Sequence, residues 1–392
     1  MRLLKFNFHG CFSLFIGVTA MFFLSCTEEK EELRSPLKVD IPTYSVVELD
    51  SVLPQLTVVE TETFELPEFS VPYFLEPFSK GQYVVAAERE DKAILLFDGS
   101  GNYLGKAGGE GRGPGEFLGL IKLNTGSDDH LYTHDSRLRR ISRFKVDREG
   151  FSLVDTYSPS VESLMWLHNM YVTEWGNFAV YREMVDINTG QDKYHFYKLD
   201  DEFNQVERLI TMPGNEKMPL DESGPITQYI DHMVGEKTLW DLDSEWFYYI
   251  SSHSPVINKF NIRTGKFATD TFFNLEEREI TEEIRSQVME YSSNMTKRFP
   301  IVKDAMEEVK VLPIFEEFVV NDHMIYLSLF DISGSEKEFT EIIRINEKTE
   351  EVHYLKIPLK LSKIQGGDGM MYGIEFADGD YSSIRIIDLR ES

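Results

Sequence analysis

One pattern of apolar and polar positions recurs six times along the chain. An aromatic-rich run is followed by a short polar gap, then by a second run ending in a large apolar residue and usually Asp or Asn. The first runs are QYVVAAERE, HLYTHDS, NFAVYRE, WFYYISS, MIYLSLF and MMYGIEF, and their partners are AILLFD, RISRFK, HFYKLD, VINKFN, EIIRIN and SIRIID. Short runs of β-branched and aromatic residues bounded by turn formers read as paired strands. The anchors that end the partner runs are Phe97, Phe144, Leu199, Phe260, Ile345 and Ile387, at spacings of 47, 55, 61, 85 and 42 residues. Most of these fall near the ~40 to 50 residues of a propeller blade. The pattern therefore predicts an all-β fold, a six-bladed β-propeller of four-stranded blades.

Turn chemistry follows several anchors: Gly99-Ser100-Gly101, Arg148-Glu149-Gly150 and Arg263-Thr264-Gly265. Glycine supplies the positive φ of a tight hairpin, so YLGKA, FSLVDTY and KFATDTFF read as outer strands. The chain stops at Ser392, five residues after the last anchor, which leaves the sixth blade without an outer strand. One of the two β-rich runs in residues 44–66, YSVVELD or LTVVETETFEL, is expected to close the ring. In the long fourth spacing the period becomes helical: Ile280, Ile284, Val288, Tyr291 and Met295, then Val302, Ala305, Met306 and Val309 after Pro300. This predicts a helical hairpin over about 274–310, between blades 4 and 5, capped at Asn274 with Glu277 three residues on. A cover for sheet surface is favoured over a lid on the channel.

The densest glycine stretch, KAGGEGRGPGEF at 106–117, raises the question of a phosphate loop. A P-loop needs four residues between its first glycine and Gly-Lys, and Gly101 is followed by three before Gly105 and Lys106, with Ala107 next. A G-x-G-x-x-G turn fails at Pro114 and at Glu116. The run that follows, FLGLIKLN, reads as a strand, so no helix N-terminus faces an anion. The stretch is a crossover between blades 1 and 2, with Phe117 seating the next inner strand.

Charge and the N-terminus narrow the function classes. With 67 acidic against 40 basic residues the net charge is −27, which argues against a nucleic-acid partner. Arg2 and Lys5 precede the apolar stretch CFSLFIGVTAMFFL at 11–24, which is short for a membrane span. The Phe-Leu-Ser-Cys that ends at Cys26 resembles a bacterial lipoprotein signal, departing from it at Phe23. The alternative is an ordinary signal peptide or signal anchor. The expected organisation is a signal over 1–25, a lipid anchor on Cys26 with an acidic tether to 43, and the propeller over 44–392. Cys11 leaves with the signal, so the mature domain would hold no free thiol and no cysteine metal site. The acidic TEEKEE at 27–32 resembles the export signals of surface lipoproteins, which implies an outer-membrane, surface-exposed protein, with a periplasm-facing one as the alternative.

The run Leu104 to Phe144, LGKAGGEGRGPGEFLGLIKLNTGSDDHLYTHDSRLRRISRF, resembles an NHL-type propeller repeat: a glycine, then G-x-G-P-G-x-F, an apolar strand, an acidic turn, an aromatic strand ending in Asp, and R-I-x-x-F. With the signal, the chain is similar to the six-bladed, TolB-like propeller lipoproteins of Bacteroidota. The resemblance implies architecture, and most such proteins have no known activity.

Candidate chemistry is sparse. Nine histidines occur, none in H-E-x-x-H or another close metal spacing, and no G-x-S-x-G elbow is present. His134 and Asp135 end a strand of blade 2, where they would face the channel or a blade face, and Asp135 is expected to bond backbone. His130 and His323 read as turn residues. The four tryptophans, Trp166, Trp175, Trp240 and Trp246, are expected between blades. Arg137, Arg139, Arg140 and Arg143 are expected to form inter-blade salt bridges. Arg112 and Glu116 lie on an exposed rim. The candidate ligand-binding residues are thus Arg112, Glu116, His134 and Asp135, with no catalytic residue and no cofactor. The expected role is a monomeric, membrane-anchored protein that binds a protein, peptide or glycan on one face of the ring. The alternative is a metal-dependent hydrolase or lyase of the propeller lactonase type, with calcium a candidate ion.

Overall fold

The computed structural model describes residues 33–34 and 41–389, less 57, 59–60, 65, 68–69, 120, 162–164, 187–190, 222–227, 333–337, 368 and 378–379. The signal, Cys26 and the TEEKEE tether lie outside the described residues.

Six antiparallel sheets follow one another along the chain. Blade 1 consists of Pro72–Phe78, Tyr83–Glu88, Ala93–Asp98 and Tyr103–Gly108. Blade 2 consists of Ile121–Thr125, Leu131–Asp135, Arg140–Asp147 and Gly150–Tyr157. Blade 3 runs from Met165–Thr173 to Gln205–Pro213, blade 4 from Thr238–Asp243 to Phe267–Asp270, and blade 5 from Phe315–Asn321 to Glu351–Ile357. Blade 6 holds Leu361–Gly367, Met370–Ala377 and Asp380–Asp388. The six recurring run pairs are the second and third strands of the blades. They are apolar on both faces because a neighbouring blade packs against each face, as in Ala93–Asp98, where five of six residues are buried. Outer strands face water, and Gly150–Tyr157 has no buried residue.

An apolar cluster fills each of the six junctions. Phe78, Val85, Phe117 and Phe144 join blades 1 and 2, and Phe178, Phe196, Phe247 and Phe260 join blades 3 and 4. Phe196 and Phe247 stack with centroids 3.9 Å apart.

The ring is closed by LTVVETETFEL. Its Thr61–Phe64 pairs antiparallel with Asp380–Asp388, placing Phe64 opposite Ile384 and Glu62 opposite Ile386. Phe64 is 1% exposed and packs in the junction of blades 6 and 1. Just upstream, Gln55–Leu56 adds a parallel fifth strand to blade 5. The other run, YSVVELD, does not close the ring, and only its Tyr44 is in a strand, opposite Leu275. Val46–Glu48 and Leu49–Val52 are helical turns because Leu49 and Leu53, four apart, both drop into the junction of blades 4 and 5; tertiary packing overrides the β propensity of Val46 and Val47.

Two insertions extend the end of the ring where the chain crosses between blades. Between blades 3 and 4, Lys217–Asp221 and Gln228–Asp231 form a hairpin that the repeat pattern did not reveal. Between blades 4 and 5 lie three short helices, Glu282–Tyr291, Ser293–Arg298 and Ile301–Glu308, rather than a two-helix hairpin. Asn274 is not their cap. It sits in a short strand whose N–H groups go to the N-terminal segment, Asn274 N to Pro42 O at 2.8 Å. Thr281 caps the first helix, accepting from Ile284 N at 3.2 Å. Val288, Val302 and Met306 bury against Met218 and Val234 at the hairpin and against Phe330, so the helices and the hairpin share a satellite core.

Candidate functional site

The innermost strand of each blade has one edge facing the axis, and its N–H groups there need acceptors. At four junctions a side chain of one inner strand supplies them to the next. Glu76 accepts from Thr125 N at 2.7 Å, Asn124 from Val172 N at 3.1 Å, and Asp241 from Val320 N at 2.8 Å. Glu317 accepts from Lys363 N and Ile364 N, both at 2.8 Å. These bonds explain why acidic and amide residues interrupt otherwise apolar strands. Burial pushes the Glu76 and Asp241 carboxyls up to about 7 against the lowering effect of the N–H groups they accept from.

Inside this ring lies a pocket of about 360 Å³ lined by all six inner strands. None of its inner-strand residues comes from the last two positions of a strand, so it lies toward the crossover end of the ring. Phe74, Lys122, His168, Trp240, Glu316 and Lys363 come from successive blades, one from each, and Asn215 and Lys237 come from the base of the hairpin insertion. None of the described lining residues belongs to the three helices.

Aromatic and amide groups make one wall. Trp240 meets Tyr194 at 4.5 Å and His168 at 5.1 Å between ring centroids. Asn169 donates from Nδ2 to the Tyr171 hydroxyl at 3.1 Å and accepts from Met170 N. Asn215 is held at both ends, Oδ1 accepting from Thr238 N at 3.2 Å and Nδ2 donating to Asp231 at 2.8 Å. Asp231 belongs to an ionic network that roots the hairpin on blade 3: Lys217 binds both Asp231 and Asp192, the latter at 2.7 Å, and Arg182 binds Asp192.

Three lysines also line the pocket, Lys122 from blade 2, Lys237 from the segment entering blade 4 and Lys363 from blade 6. Lys122 places Nζ 4.9 Å from the Phe74 ring centroid. Burial, then the charge of Lys363, lowers it to about 8. The Lys122 ammonium in turn disfavours a second charge nearby. His168 falls to about 3, by burial first and then by Lys122, and His134 falls to about 4, mainly by burial. Both imidazoles are therefore neutral at neutral pH.

The four candidate residues are not brought together in one place. Arg112 and Glu116 stay in the crossover loop, where their carbonyl oxygens accept from Arg140, the Arg112 bond at 3.0 Å. The Glu116 carboxylate accepts from Gly113 N at 2.6 Å. Gly108 needs its positive φ of 93° and lets the Phe117 ring approach; a Cβ there would stand 2.5 Å from it. Asp135 is 1% exposed and takes four backbone N–H groups, from Leu118, Gly119, Arg137 and Leu138. Burial works to raise its carboxyl, and these bonds overcome that and hold it below the usual range. His134 is buried, its Nδ1 has no hydrogen-bond partner, and it lies directly opposite Lys122 across the strand pair. Among the described residues the arginine cluster builds no inter-blade salt bridge. Residues 136–139 form the turn before Arg140–Asp147, Arg140 bonds loop carbonyls, and Arg143 pairs with Asp128 of its own blade at 2.6 Å.

Sequence reasoning missed Lys122, His168, Asn169, Asn215, Lys237 and Lys363. The available signal was a charged residue inside an apolar strand, as in FLGLIKLN. Among the described residues no group of three or more His, Cys, Asp or Glu is placed to hold a metal ion. No described helix is long and apolar enough to cross a membrane.

Residues 28–365 match DUF5128, described as a 6-bladed beta-propeller. The chain belongs to this family. Among solved structures it is similar to a member of the DUF4221 family from Bacteroides vulgatus, with a TM-score of 0.55 and 12% identity over 86% of this chain and 98% of that one. It is also similar to a protein from Bacteroides fragilis described as exported, with a TM-score of 0.49 and 10% identity over 86% and 99% of the two chains. A third similar structure is an oligogalacturonate lyase in complex with manganese, with a TM-score of 0.43 and 11% identity over 86% and 99%. No curated protein matches the chain. The DUF4221 likeness agrees with the ring of blades and extends no further.

Proposed function

We propose that this is a surface-anchored lipoprotein that binds a peptide, protein or glycan segment at the crossover end of the ring, with the axial pocket as the seat. The observation that carries the reading is the convergence of six inner strands on one pocket walled by Trp240, His168, Asn169 and Asn215. Aromatic faces and fixed amides hold a ligand by stacking and hydrogen bonds and need no reacting group. The metal-dependent alternative would need a convergent donor set, and no observation favours it. Arg112 and Glu116 lie at the same end of the ring as a second contact area, and His134 and Asp135 stand behind the pocket wall. The anchor would be lipid on Cys26, and the outer membrane the expected address.

Glycan and peptide arrays probed with the purified chain test the seat. Binding is expected to fall at least about tenfold in Trp240→Ala, with the melting transition of the variant followed as a control. Retained binding in a folded Trp240→Ala variant, with loss in the Arg112→Ala/Glu116→Ala double variant, would move the seat to the crossover loop.

A further inference from the structure

Charge in the axial pocket is unbalanced in a way that names a ligand group. Two of the three carboxylates that line it are committed to the protein. Glu317 accepts from two backbone N–H groups and lies 3.5 Å from Lys363 Nζ. Asp241 accepts from Val320 and Leu242, each at 2.8 Å. Asp241 is pushed up to about 7 by burial, while at the exposed Glu316 burial and Glu317 raise the carboxyl against the lowering charges of Lys237 and Lys363. Lys122 has no such commitment. Among the described residues its ammonium has no carboxylate within 4.0 Å. It faces the Phe74 ring on blade 1, neutral His134 on its own blade, neutral His168 on blade 3 and Lys363 on blade 6. Lys237 lines the same cavity and forms no ion pair with a described residue. A desolvated ammonium beside a second cation is unfavourable unless an anion joins it.

Resting on the binding reading above, we infer that the pocket takes the carboxylate of a small acidic ligand on Lys122, with Lys237 and Lys363 adding positive charge to the same cavity and Trp240 beside the ligand body. A cavity of about 360 Å³ holds one sugar or one amino-acid residue. The carboxylate can come from an acidic sugar or from an acidic peptide side chain. Because Lys122 lies near 8 when the pocket is empty, binding an anion near that pH must draw a proton onto it.

Calorimetry of the full chain at pH 8, in two buffers of different ionisation enthalpy, tests this with two matched pairs: glucuronate against glucose, and N-acetylglutamate against N-acetylglutamine. One acidic probe is expected to bind about tenfold or more tightly than its neutral partner, with proton uptake, and to weaken as the pH rises from 7 to 9. The pair that shows the preference identifies the source of the carboxylate. Lys122→Gln and the volume-matched Lys122→Met should both remove the preference and the proton uptake while the melting temperature holds. A structural role for Lys122 would not move proton uptake. Equal binding of acidic and neutral probes, a preference that survives in both variants, or no binding by any of the four overturns the assignment. Array binding lost in Trp240→Ala would still stand in that event, so failure here is separable from failure of the binding reading.

Discussion

Replacing Glu76 by Gln tests whether the axial carboxylates are held against their preferred ionisation. The Glu76 oxygen accepts from Thr125 N and links blades 1 and 2, and the amide of Gln keeps an acceptor at that place while removing the charge. Burial raises the carboxyl from 4.5 to about 7. A folded pKa above the unfolded one means that the native state binds the proton more tightly. The stability this contributes is fully present below about 4.5 and is lost as the pH rises through about 7. At about 1.4 kcal/mol per unit, the loss is about 3 kcal/mol by pH 8. Denaturant unfolding of the wild type and Glu76→Gln at pH 5 and pH 8 measures it. The two should be nearly equal at pH 5, and the variant should be more stable by about 2 to 3 kcal/mol at pH 8. Asp241 is raised alike and its charge adds to the rise of Glu76, so removing the Glu76 charge also eases Asp241 and shifts the difference in the same direction. A difference independent of pH, or a variant less stable at pH 8, would show that the local field favours the carboxylate and would refute the argument.

Ring closure makes a second test. Phe64 is buried on Gly101 and lies 5.3 Å from Phe97 between ring centroids, so Phe64→Ala should cost about 3 to 5 kcal/mol in chemical unfolding. Deletion of residues 40–66 should abolish the single cooperative transition, and an unchanged melting curve would contradict closure by Thr61–Phe64. The proposed lipid anchor is checked by Cys26→Ala, which should lose acyl labelling and leave the membrane fraction, whereas retention there would indicate an uncleaved signal anchor.

The parts of the fold legible in sequence were those whose residues face neighbours on both sides. The second and third strands of every blade lie between two other blades, so they are rich in large apolar residues and stand out as paired runs. Apart from Ile121–Thr125 within FLGLIKLN, the inner strands were hard to read because one edge meets the axis. Ile121–Thr125 reads IKLNT and Thr238–Asp243 reads TLWDLD, and their polar members serve the next blade or the pocket rather than a sheet face. The crossover loop was legible because Gly108 and Phe117 fit each other locally. The hairpin at 217–231 was not, since its strands are held by Lys217, Asp192 and Asp231, an ionic contact without period.

By itself the sequence determined the number of blades, the strands that stack them, the helical insertion and the absence of any local catalytic motif, because each of these rests on neighbours a few residues apart. Only the tertiary structure decided which N-terminal run closes the ring, and that Lys122, His168, Trp240 and Lys363 share one cavity. Each comes from a different blade, and no spacing along the chain encodes their meeting. Closure of the ring around one axis brings them together, and it leaves the half-buried Lys122 with no carboxylate within 4.0 Å among the described residues.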